Sequence, residues 1–161
     1  NATLYNDSIV AQIVKRFQKQ DAIVIYVPDH GEECYEENRG FICRNHSAEI
    51  DWPLAHYEFE IPFWIYCSPK YIRNHRDIYR QIRKAKDKRF MTDALPHLLL
   101  YLAGIETPTY KEEYNILSPK YDEMRPRILK NSADYDKLRD AHLEKIKKEE
   151  SKKVKKKERR N

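Results

Sequence analysis

Asp29 and His30 stand side by side, directly after the apolar run Ala22-Ile23-Val24-Ile25-Tyr26-Val27 and a single Pro28. A carboxylate supplies a hard oxygen and an imidazole a borderline nitrogen, and zinc accepts both. In open α/β sheets the ligand crevice lies beyond the carboxyl ends of the strands, where a strand of this kind delivers such a pair. Gly31 permits a sharp backbone turn after the two candidate ligands. Asp-His is also a common dipeptide, and a turn in which Asp29 caps a following helix accounts for the same residues equally well.

The elements that must position this pair are partly legible. Leu4, Ile9, Val10, Ile13, Val14 and Phe17 have helical spacing and predict an amphipathic helix over residues 4–18 with one buried stripe. Six consecutive apolar residues without alternation, at 22–27, suit a central strand covered on both faces and closed by Pro28. Residues 34–53 show no periodicity and read as a long polar connection. Residues 58–67 form a second strand candidate, with Pro62 marking a bulge or an edge. A basic helix is expected over 77–86, and a more apolar one from Thr92 or Asp93 through Ala103, stopped by Gly104. Turn signals fill 105–132, and helical spacing returns with Tyr135, Leu138, His142 and Ile146.

Charge narrows the function classes. The 161 residues carry a formal net charge of +5. Residues 141–161 hold ten Lys/Arg against four Glu, whereas the other 140 residues hold 21 basic and 22 acidic side chains. The body is therefore neutral, and the basic character belongs to one tail. That tail lacks interleaved aromatics and the body has no basic face to extend it, so nucleic acid is not the expected partner. A solvated helix is one reading of the tail; a polybasic segment drawn to an anionic membrane surface is another. No apolar stretch approaches the roughly 20 residues of a membrane span. The chain opens Asn-Ala-Thr-Leu-Tyr, without an initiator Met or a signal peptide, which is how a fragment of a longer reading frame would begin.

Val27-Pro28-Asp29-His30-Gly31-Glu32-Glu33 resembles the strand-plus-Asp-His-Gly-Glu motif of the alkaline-phosphatase/sulfatase superfamily. More narrowly it is similar to the phosphoethanolamine transferases that modify lipid A in Gram-negative bacteria. Tyr5-Asn6-Asp7-Ser8 resembles the family helix before the metal strand, and Glu60-Ile61-Pro62-Phe63-Trp64-Ile65 the strand with a Val/Ile-Pro pair. Asp93-Ala94-Leu95-Pro96-His97 resembles the late Asp-x-Leu-x-His helix. Together these cover residues 1 to about 118 in the family's order and spacing.

The resemblance implies an α/β chain, a partial alkaline-phosphatase-like α/β/α sandwich, with residues 1–132 its C-terminal portion and residues 133–161 a lysine-rich helical tail. It assigns Asp29 and His30 to the catalytic zinc, or another divalent metal, as two of an expected four ligands, and gives His46 the role of facing the substrate phosphate or a second metal. His56 competes for that role; His97 is better explained by packing, and nothing favours His75 or His142. Glu32 and Glu33 could orient the ligands from behind, or one of them could simply be a solvated helix start. The family's nucleophilic Thr lies upstream of the segment that residues 1–20 resemble, so it is expected outside this chain, which alone would be inactive. The implied reaction moves phosphoethanolamine from phosphatidylethanolamine to lipid A or a related cell-surface glycan, at the periplasmic face of the inner membrane, by a monomer. A sulfatase or phosphodiesterase-type hydrolase of the same superfamily, or a non-catalytic basic-tailed binding module, is the alternative. Cys34 and Cys43 could pair in an oxidising periplasm or remain thiols, and Cys67 is expected to be buried and inert.

Overall fold

Sixteen residues free of proline and glycine form the first helix, α1 (Ala2–Phe17), in a computed structural model that describes residues 2–43 and 49–158. The chain divides into two compact units, residues 1–27 with 62–125, and residues 28–61 with 126–161.

In the first unit the predicted helix is present, but its stripe is not buried. Leu4 is 71% exposed, Ile13 is 44% exposed, and no residue of α1 is buried. Periodicity records a face that favours cover and does not say what supplies it. The strand expected to be central is β1 (Ile23–Tyr26), which pairs antiparallel with β4 (Trp64–Cys67) in a two-stranded sheet. Each of its residues is half-buried, so coverage on both faces is not what these residues show. Tyr26 and Trp64, opposite one another, stack at 5.1 Å between ring centroids.

Buried Ser68 joins this sheet to the next helix. Its hydroxyl donates to the Gln20 carbonyl at 2.6 Å and accepts the Tyr71 N–H at 3.0 Å. That cap, followed by proline, starts α3 (Pro69–Asn74), a helix not anticipated from periodicity. The basic helix is α4 (Arg76–Ala85). A 3₁₀ turn, Thr92–Ala94, leads into α5 (Leu95–Ala103), and Gly104 ends it at φ 65°, as expected of a C-terminal glycine. Leu98, Ala85, Ile116 and Leu117 form the apolar core, with Phe63 stacked on Phe90 beside it.

In the second unit, residues expected to be an irregular connection form a hairpin of β2 (Glu33–Cys34) and β3 (Phe41–Cys43). The strand expected over 58–67 is shorter than its apolar run. Residues 58–59 close the helix α2 (Trp52–Phe59), because Asp51 accepts the Leu54 N–H at 3.1 Å and proline occupies the first turn. A second small hairpin, β5 (Ile128–Leu129) with β6 (Ala133–Asp134), precedes α6 (Tyr135–Glu158). Ala55, Leu129 and Tyr135 make this unit's core. Trp52 lies stacked between the rings of His56, at 5.5 Å, and His142, at 5.1 Å. Beyond this packed end, residues 143–153 of α6 are exposed throughout. Among the described residues no helix is long and apolar enough to cross a membrane.

Candidate metal centre

Pro28 cannot continue a strand ladder, and the four residues after it form neither helix nor sheet. No helix begins at Asp29, so its carboxylate does not cap one. Its Oδ1 instead accepts the N–H of His30 at 3.1 Å, and the rest of the side chain, 86% exposed, faces solvent.

The imidazole of His30 is oriented from behind. Its Nδ1 lies 2.8 Å from the carbonyl oxygen of Gly31. A carbonyl oxygen only accepts, so Nδ1 carries the proton and Nε2 is the lone-pair nitrogen of the neutral ring. Nε2 stands 3.5 Å from Oδ2 of Asp29. Two electron-rich atoms this close are satisfied by a proton on Nε2 or by a shared cation. The donor set, one carboxylate oxygen and one imidazole nitrogen backed by a carbonyl, therefore fits zinc as part of a coordination shell. Among the described residues no third His, Cys, Asp or Glu completes a metal-holding group with them.

Gly31 serves close approach rather than a sharp turn. Its N–H donates to the Glu58 carbonyl at 2.8 Å, and a Cβ on it would stand 2.1 Å from the Tyr57 carbonyl oxygen. Any side chain there would push the motif off the end of α2.

The two glutamates after the glycine differ. Glu32 is exposed, whereas Glu33 is completely buried on β2. Burial pushes the Glu33 carboxyl above its ordinary range, against the opposing pull of Arg39. Arg39 Nε stands 3.0 Å from Glu33 Oε1, and Nη1 of the same guanidinium donates to Asp51 Oδ2 at 2.6 Å.

The other histidines have partners unrelated to the pair. His56, the competitor for the substrate-facing role, is on α2 and pairs with Glu60 at 3.0 Å. His75 pairs with Asp21 at 3.2 Å, and His97 Nδ1 accepts the Lys111 N–H at 3.1 Å, the packing role expected of it. His46 lies outside the described residues, as does the side chain of Cys43. Cys67, expected to be buried, is half-buried because it ends a strand of a two-stranded sheet; partial burial raises its thiol. Sequence reasoning missed Arg39 and Asp51. For Asp51 the signal was present in Asp51-Trp52-Pro53, an N-cap followed by proline; for Arg39 there was none.

Comparison with known proteins bears on this geometry. No family model matches the chain. It is 31% identical over 126 residues to phosphoethanolamine transferase EptC of Escherichia coli O18:K1:H7 (strain RS218 / NMEC), covering 76% of this chain and 20% of that one. It is 28% identical over 92 residues to Kdo(2)-lipid A phosphoethanolamine 7''-transferase of Escherichia coli strain K12, covering 55% of this chain and 15% of that one. The crystal structure of the C-terminal periplasmic domain of EcEptC from Escherichia coli, in complex with Zn, superposes with a TM-score of 0.66 at 28% identity. That match covers 85% of this chain and 38% of the other. The chain thus spans about a fifth of the length of the curated EptC relatives it matches.

Proposed function

The chain is homologous to part of the C-terminal periplasmic domain of a phosphoethanolamine transferase, and we propose that it supplies half of the active site of a zinc-dependent enzyme of that kind. The full enzyme moves phosphoethanolamine from phosphatidylethanolamine to lipid A or a related cell-surface glycan, at the periplasmic face of the inner membrane, as a monomer. The observation that carries this reading is the Asp29–His30 pair, with Nε2 and Oδ2 3.5 Å apart and Nδ1 held by the Gly31 carbonyl. When bound there, zinc supplies a Lewis acid that polarises phosphoryl oxygens and lowers the pKa of a coordinated hydroxyl.

Within this chain, Asp29 and His30 contribute two of the ligands, and the Gly31 carbonyl keeps His30 in its ligating tautomer. His46 faces the transferring phosphate, stabilises its charge and protonates the leaving oxygen. Residues 1–132 are the C-terminal portion of an alkaline-phosphatase-like α/β/α sandwich, and 133–161 a basic tail. The exposed lysines of α6, Lys145, Lys148 and Lys152 among them, are drawn to an anionic membrane surface, where the lipid substrates reside.

Mass spectrometry of lipid A from cells expressing the full gene tests the reaction. Lipid A bearing added phosphoethanolamine is the expected result. Lipid A unchanged by the active protein would favour the hydrolase alternative.

A further inference from the structure

We propose that Glu33, Arg39 and Asp51 are positioning residues that fix the metal-ligand segment onto both ends of α2 and so hold the ring of His30. The identity of the ligands rests on the transferase reading above; the clamp rests on geometry within one unit.

The segment is pinned at two points. At the C-terminal end of α2, the Glu58 carbonyl accepts the Gly31 N–H at 2.8 Å, and the missing Cβ of Gly31 lets the Tyr57 carbonyl sit against it. At the N-terminal end, Asp51 caps the helix through Oδ1 and receives Arg39 Nη1 on Oδ2 at 2.6 Å. The same guanidinium places Nε 3.0 Å from the Glu33 carboxylate, three residues after His30. A planar guanidinium reaches two carboxylates at once in fixed geometry, whereas an ammonium meets them as a point charge on a flexible stem.

The connection that returns Arg39 to Glu33 is costly. Tyr35, Asn38 and Gly40 all have left-handed backbones, at φ 65°, 59° and 80°, and two of them carry side chains. Such backbones persist where surrounding structure over-determines them, and they cluster at functional sites. Glu33 is fully buried and Arg39 partly so; such a pair is also a weak stabiliser compared with apolar residues of the same volume, and its best-attested use is to specify register. Here the register is that of the segment carrying Asp29 and His30. With Gly31 and Glu33 both anchored, the Gly31 carbonyl is held where it accepts from Nδ1.

Long-range ¹⁵N–¹H correlation spectra of the His30 ring at alkaline pH test the clamp. The wild-type chain is expected to show the Nδ1–H tautomer. Arg39→Lys keeps a cation beside Glu33 but breaks the double contact, and Glu33→Gln with Arg39→Gln removes both charges and strands neither. Both variants are expected to show a mixed tautomer population, with Zn²⁺ affinity at the pair lowered about tenfold. Circular dichroism verifies that they fold. Wild-type tautomers in both folded variants would overturn the proposal. Asp29→Ala separates the two claims: it is expected to abolish the Zn²⁺ response and keep Nδ1–H. Should Asp29→Ala bind Zn²⁺ like wild type while Arg39→Lys still mixes the tautomers, the ligand assignment fails and the clamp stands.

Discussion

The two units of the chain are held together by different chemistry. The first is built on apolar packing around Leu98, Ala85, Ile116 and Leu117, and keeps its best ion pair, Arg125 with Asp93 at 2.6 and 2.7 Å, at its periphery. The second has the smaller apolar core of Ala55, Leu129 and Tyr135, and buries the carboxylates of Glu33 and Glu58. Apolar burial stabilises without specifying direction; buried charge stabilises poorly but fixes geometry. The candidate ligands lie in the unit that uses charge.

Removing the partly exposed cation that faces a buried carboxylate should break that contrast most sharply. Arg39→Met leaves Glu33 buried and unpaired, and is expected to cost about 3–5 kcal/mol in denaturant unfolding of the second unit. Leu98→Ala empties the centre of the first unit and is expected to cost about 3 kcal/mol by the same measurement. If Arg39→Met costs less than Leu98→Ala, the second unit does not depend on its buried charge as described.

The pH response sharpens the comparison because Asp93 in the first unit and Glu33 in the second are shifted in opposite directions. The Arg125 guanidinium, bonded to Asp93, holds that carboxyl below its ordinary 3.8, so its contribution is present above pH 3.8 and is lost as pH falls through the folded value. Asp93 is half exposed, and the contribution is expected to stay below about 1 kcal/mol. Burial raises Glu33 above its ordinary 4.5, so the folded state binds the proton more tightly, and stability from this group rises as pH falls through the folded value toward 4.5. Thermal melts across this range should show the acid-side loss flattened in Asp93→Asn, and the slope above pH 4.5 reversed or flattened in Glu33→Gln.

The smallest expected effect on stability lies on the exposed part of α6. Lys148→Gln should leave the melting temperature unchanged, while weakening adsorption to anionic vesicles by about 1 kcal/mol, roughly fivefold.

Legibility in the sequence followed locality. The helix ending at Gly104 was readable because cap, apolar spacing and C-terminal glycine are all local signals. The Asp29–His30 pair was readable because a strand, a proline and a family motif converge on it. The helix α2 was obscured because Pro53 reads as a loop breaker unless Asp51 is taken as its cap. Glu33 and Arg39 were not connected, since their pairing needs a left-handed Tyr35, which no residue pattern announces. The stripe on α1 was legible as a pattern, while its exposure depends on what packs against it and has no local signature.

The proposed transferase role of this chain rests on Asp29 and His30 as zinc ligands. Calorimetric titration of the chain with Zn²⁺, repeated with Asp29→Ala and with His30→Ala, tests it most directly. Binding at least tenfold weaker is expected in each variant; unchanged affinity in both would show that the pair does not hold the metal.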